Sequence, residues 1–231
     1  MADRNAKAGM ADSPPKPRKT RQTTRQRLLE AAGQVFAEKG FDRSTGKEIC
    51  ERAGTNTAAV NYYFGGIDGL YKAVIDEARS RLVPTSALLA AVAGKADARA
   101  QLEAVIELGI QAMISPATSS WVLRVLAREI ISPSPALETL WETEIPLRMQ
   151  VFRDIASELM GLPEDHPLVT EGCFLVSGPF VMLLVYDRRM LHRIFPDFRI
   201  TPADAPALTK HLVEFVLGGL AAMASNVQKE G

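Results

Sequence analysis

A chain of 231 residues in which 47% are apolar can bury one small core and one larger one. Its 27 basic and 27 acidic residues cancel overall, but not evenly along the chain. Two cysteines (Cys50, Cys173) and three histidines (His166, His192, His211), all far apart, exclude a disulfide framework and a clustered metal centre.

The first 27 residues carry eight cations, among them Lys16, Arg18, Lys19 and Arg21, against two acids. The net is +6, so the rest of the chain carries −6. Pro14, Pro15 and Pro17 stand among few apolar residues, so residues 1–22 read as a basic arm that is disordered when free. Arg18, Lys19 and Arg21 are candidates to bind phosphates or an adjacent minor groove. A solubilising tail is the alternative reading. No apolar run follows the charged first residues, so no signal peptide is expected.

Thr23 and Gln26 have capping-box spacing and open a first helix, with Leu28, Ala32, Val35 and Phe36 on one face and Gly40 as its stop. Thr45 with Glu48 opens a second helix that buries Ile49 and Ala53 and ends at Gly54. Asn56 is the expected N-cap of a third helix over 57–64. There Val60 and Phe64 face inward, which leaves Thr57, Ala58, Asn61 and Tyr62 outward and Tyr63 near the edge. Such a face suits DNA. Asparagine pairs with adenine, threonine and alanine methyls touch a thymine methyl, and tyrosine hydroxyls reach phosphates.

A fourth helix is expected over 68–82 and a short one over 85–93. Further helices are expected over 97–114, 119–131, 136–160 (bent at Pro146), 168–192 and 203–224. The most apolar run, 174–186, is broken by Gly178 and Pro179 and reads as too short for a membrane span. The last two helices carry broad apolar faces, and Gly218 and Gly219 leave room for another backbone. We read them as a homodimer interface, a four-helix bundle with two helices from each subunit; packing within one subunit is the alternative.

Residues 23–75 resemble the DNA-binding domain of the tetracycline-repressor (TetR) family of bacterial transcription regulators. The likeness lies in T-x-x-E-I-x-x-x-A-G from Thr45, the Y-Y-F ending at Phe64, and G-x-x-G-L-Y ending at Tyr71. The resemblance implies an all-α protein: an N-terminal three-helix helix-turn-helix domain (23–70) and a larger C-terminal helical effector and dimerisation domain (71–231). It implies a ligand-responsive repressor that binds a palindromic operator as a cytoplasmic homodimer. By position, the family's DNA contacts fall on Ser44, Thr45, Thr57, Ala58, Asn61, Tyr62 and Tyr63. The lysine that normally grips a phosphate at the start of the fourth helix is here Ile67. Residues 128–137, R-E-I-I-S-P-S-P-A-L, and 211–220, H-L-V-E-F-V-L-G-G-L, are similar to the CecR-type subgroup. That likeness implies control of efflux or membrane-transport genes.

Trp121, Arg124 and Arg128 recur at helical steps, and with Met113, Trp141, Met182 and Tyr186 they are the candidates for an effector pocket. The alternative is core packing, with Arg128 and Glu129 structural. No glycine-rich phosphate loop follows a strand and no nucleophile has a sequence-evident base, so no enzyme, cofactor, metal or membrane partner is expected. A helical adapter that kept the fold but does not regulate transcription is the second functional reading, and Ile67 is the feature in its favour.

Overall fold

The computed structural model describes residues 23–115, 121–135, 144–186 and 188–230. These form helices α1 (Thr24–Lys39), α2 (Gly46–Ala53), α3 (Ala58–Phe64), α4 (Ile67–Leu82), α5 (Thr85–Val92) and α6 (Ala98–Ile114). They continue as α7 (Val122–Ile131), α8 (Ile145–Met160), α9 (Pro167–Val185), α10 (Arg188–Ile194) and α11 (Ala205–Glu230). No strand occurs among the described residues. The protein is all-α.

Local chemistry sets the first helices. Thr23 caps α1 through a reciprocal box: its hydroxyl accepts from the Gln26 N–H at 3.3 Å, and its own N–H donates to Gln26 Oε1 at 3.1 Å. Gly40 (φ 79°) and Gly54 (φ 62°) end α1 and α2 in the positive-φ region that glycine enters without a Cβ penalty. Thr45 caps α2 by accepting from the Glu48 N–H at 3.3 Å. The Glu48 carboxylate does not close a box; it pairs with Lys39 at 2.7 Å and ties α2 to the end of α1. A bidentate Arg52–Glu38 pair at 2.9 and 3.0 Å adds a second tie, and the Arg52 hydrogen bond lowers the Glu38 carboxyl below its ordinary pKa.

Four expectations are corrected. Asn56 does not cap α3: Thr57 takes helical angles in the cap position, and the Ala59 N–H bonds the Asn56 carbonyl at 3.2 Å. Pro146 does not bend a long helix, because α8 begins at Ile145 and proline sits in its first turn, where no N–H partner is lost. The helix expected to reach residue 192 ends at Val185; extended backbone at Tyr186 (φ −67°, ψ 127°) precedes α10. Its apolar run is also longer than read. α9 passes through Gly178 and Pro179, since packing of Val169, Cys173 and Val176 outweighs the backbone bond that proline removes. α9, with mean hydropathy 1.9, and residues 205–226 of α11, with 1.3, are long and apolar enough to cross a membrane by length and composition alone.

Two buried clusters organise the chain. The first gathers Leu28, Val35, Phe36, Ile49, Val60, Leu70 and Val74 from α1–α4, and α7 adds Trp121, Val122 and Val125. The second joins α6, α8, α9 and α11 through Ile106, Ile110, Ile155, Val169, Val176, Val213 and Leu220. α7 therefore packs its apolar face against the helix-turn-helix. Each fully buried aliphatic or aromatic side chain there contributes about 1.5–3 kcal/mol, so α7 is anchored by several such terms at once. Cys50 and Cys173 are buried free thiols, and burial pushes the Cys173 thiol up.

Candidate nucleic-acid interface

α3 is seven residues long, carries no charged side chain, and is held by Ala59 and Val60 in the first core with Phe64 packed against it. Thr57, Ala58, Asn61 and Tyr62 are exposed together on its outer side, Tyr62 at 81% and Tyr63 at 40%. The two tyrosine rings meet edge to face at 4.8 Å and 88°, so each limits the other's rotamers. Asn61 is exposed, and its side-chain amide makes no hydrogen bond among the described residues, which leaves acceptor and donors for a base edge.

Ser44 and Thr45 stand just before α2. Ser44 is buried and donates its hydroxyl to the Gly40 carbonyl at 2.6 Å, while Thr45 is exposed at the start of α2. An open groove of about 460 Å³ separates α3 from the first turns of α1; Thr24, Arg27, Asn56, Ala58 and Tyr62 line it. Arg25 reaches the last residue of α3, its guanidinium 5.1 Å from the centre of the Phe64 ring. Ile67 is partly buried against the first core. Arg18, Lys19 and Arg21 lie outside the described residues.

The candidate effector residues that the structure describes lie on or beside α6, α7 and α9 in different surroundings. Trp121 is fully buried over Gly33 and donates from Nε1 to Glu30 Oε2 at 2.7 Å. Arg81 stacks on the Trp121 ring at 5.2 Å and pairs with Glu30 and Glu77. Arg128 donates from Nε to the Ala37 carbonyl and from Nη2 to the Glu38 carbonyl, both at 3.2 Å, at the end of α1. Both side chains hold α7 to α1 instead of lining a void. Arg124 is exposed on α7, Met113 is buried near the end of α6, and Met182 and Tyr186 stand at the end of α9. Trp141 lies outside the described residues. The void among Leu102, Phe152, Cys173, Val176 and Leu220 holds about 10 Å³, room for at most one water and far below a ligand cavity.

A further contact escaped the sequence reading in its detail. Glu129 is buried, and one carboxylate oxygen accepts the Tyr71 hydroxyl of α4. The other accepts the Ser134 N–H at 3.2 Å and hydroxyl at 3.0 Å. Burial, helped by this carboxylate, pushes the Tyr71 phenol above its ordinary pKa. Its partners lie 58 positions apart, so no local spacing signals the pair. Among the described residues no group of three His, Cys, Asp or Glu side chains is placed to hold a metal ion.

Residues 28–74 match the family described as bacterial regulatory proteins, tetR family, and residues 98–221 match the C-terminal domain of the HTH-type transcriptional dual regulator CecR. The probable HTH-type transcriptional regulator YttP of Bacillus subtilis (strain 168) is 24% identical over 136 residues, which span 59% of this chain and 64% of that one. Two solved structures share the fold. A tetR-family regulatory protein from Rhodococcus RHA1 has TM-score 0.64 and 19% identity, covering 85% of this chain and 96% of that one. The regulator PfmR from Thermus thermophilus has TM-score 0.61 and 19% identity, covering 83% and 97% respectively.

Proposed function

Because this chain belongs to the tetR family of bacterial regulatory proteins and carries a CecR-type C-terminal domain, we propose that it is a ligand-responsive repressor that binds a palindromic operator as a homodimer. The observation that carries this reading is the outer side of α3. A free Asn61 amide, two wedged tyrosines and the methyls of Thr57 and Ala58 form a base-reading and phosphate-touching surface on a helix fixed by its core. Thr45 and Tyr63 are flanking contacts in this reading, Ser44 sets the turn before α2 through its bond to Gly40, and Arg18, Lys19 and Arg21 are the candidates for added phosphate or minor-groove contacts.

The homodimer forms through α9 and α11. Phe174 is 75% exposed and Phe215 68%, and a Cβ added at Gly178, Gly218 or Gly219 meets nothing within 4 Å. These are uncovered apolar faces with room for a second backbone, as an isologous interface needs. The same faces explain the membrane-like hydropathy of both helices without a membrane, in keeping with a cytoplasmic regulator. The effector acts near the ends of α6, α7 and α9, where Met113, Arg124, Met182 and Tyr186 stand, because α7 touches both α1 and α4. Efflux or transport genes are the targets this reading carries, and the chain is a regulator and not an enzyme.

Selection of bound sites from random duplex DNA tests the proposal. It should enrich a palindrome whose half-sites lie one turn, about 34–36 Å, or a multiple of it apart. Asn61→Ala should cost about 1–3 kcal/mol on the recovered site and relax preference at one base pair per half-site. A pool with no enrichment, even at low salt, defeats the proposal and favours a non-regulatory adapter.

A further inference from the structure

Two cations of α1 that reach α3 and the turn before it stand outside the helix-turn-helix pattern. Arg25 and Arg27 project from the first turns of α1, both are exposed, and neither enters an ion pair among the described residues. Arg27 lies beside the turn that leads into α3: its Nη1 is 3.7 Å from where a Cβ at Gly54 would stand, and it borders the groove with Asn56 and Ala58. Its Nη2 makes a long 3.4 Å bond to the Thr24 hydroxyl, which leaves most of the guanidinium free. Arg25 lies at the other end of α3, over the ring of its last residue, Phe64.

The two guanidinium groups therefore bracket the recognition helix. A helix of seven residues is about 10 Å long and the major groove is about 12 Å wide, so α3 laid in the groove brings each end close to a phosphate backbone. The Phe64 ring also fixes where Arg25 can go. The Phe64 carbonyl carbon lies 3.1 Å from the Cβ position of Gly69, so this residue abuts the first turn of α4. Ile67 in that turn is packed against the core and offers no charge.

We infer that Arg25 and Arg27 are a pair of phosphate clamps, one at each end of α3, and that Arg25 supplies from α1 the backbone grip that position 67 lacks. The planar guanidinium suits this role, because it stacks on an aromatic face while its edge binds a phosphate through two N–H groups. The inference rests on α3 being the DNA-reading helix, as proposed above.

The test uses the full chain and a fluorescein-labelled duplex of random sequence, with affinity measured by anisotropy across a salt series. Arg25→Gln and Arg27→Gln should each flatten log affinity against log salt by about 0.9 per phosphate, or about two units for a dimer that loses two contacts. Arg25→Lys should keep the slope. Ile67→Lys should restore it in the Arg25→Gln background, and should add well under that amount to the parent because the phosphate is already held. Tyr62→Phe, which removes no charge and touches phosphate in any sequence, separates the clamps from the reading of α3. If it weakens binding while both arginine variants keep the parental slope, the clamps are wrong and the reading of α3 stands. If none of the three substitutions changes binding, α3 does not face DNA and both fail. A full additive gain from Ile67→Lys in the parent would overturn the replacement of that grip by Arg25.

Discussion

Adding one methyl group at Gly33 probes the joint between α1 and α7 with the smallest possible change. In an open helix interior, glycine to alanine stabilises by about 1 kcal/mol. Here the methyl would lie 2.5 Å from Cε2 and 2.7 Å from Cε3 of Trp121, a ring with no exposed surface. The ring has little freedom to slide, since its Nε1 is bonded to Glu30 at 2.7 Å and Arg81 covers it at 5.2 Å. Overpacking of this kind costs about 1–3 kcal/mol, and stretching the indole bond adds about 1 kcal/mol. Gly33→Ala should therefore be destabilised by about 1–3 kcal/mol net, with a Tm loss of about 2–4 °C per kcal/mol. Gly46→Ala is the control: it adds the same methyl at the first residue of α2, where nothing lies within 4 Å, and should melt at or above the parent. Thermal unfolding followed by circular dichroism at a fixed protein concentration reads both. Gly33→Ala melting as high as Gly46→Ala would refute the placement of Trp121 over α1.

Three other outcomes follow from particular contacts. Gly219→Leu has open space in one subunit, so helix content should be unchanged while sedimentation shows dimer converting to monomer. A fully dimeric variant would place the interface elsewhere. Tyr62→Phe should weaken binding to all duplexes about equally, by about 0.5–1.5 kcal/mol for one lost hydroxyl bond, with no change in the selected sequence. The Arg79 hydrogen bond, followed by that of Thr85 and the Arg148 charge, holds the Glu144 carboxyl below its ordinary pKa. A depressed carboxyl stabilises fully above its unfolded pKa of about 4.3 and loses that contribution as pH falls through the lower folded value. Glu144→Gln should therefore melt below the parent at neutral pH and lose less stability on acidification, which melts from pH 7 downward would show.

The helix-turn-helix was readable because its signals are local. Thr23 with Gln26, Gly40, Gly54 and the inward spacing of Val60 and Phe64 each act within a few residues, and the structure follows them. Asn56 was misread as a cap for a local reason as well: Thr57 adopts helical angles, and the chain spends the Asn56 carbonyl instead of its side chain. The joint was not readable. Trp121 meets Glu30 across 91 positions and Arg128 meets Ala37 across the same distance, so a spacing that fits core packing or a pocket lining does not reveal the helix it clamps. Likewise the end of α9 at Tyr186 carries no proline or glycine stop, and the run of apolar residues gave periodicity no edge to detect.

The carboxylate of Glu129 accepts from α4 with one oxygen and from residue 134 with the other. Glutamine has the same shape but only one acceptor oxygen; its other terminal atom is a donor. Whichever way that amide turned, an NH₂ would face either the Tyr71 hydroxyl or the Ser134 N–H. Glutamine could keep the Ser134 bonds only by donating to the Tyr71 oxygen and reversing that hydrogen bond; the carboxylate instead offers two equivalent acceptors on one rigid plane. While it remains in place, the end of the α7 loop and the middle of α4 share a single fulcrum, and neither can tilt without tilting the other.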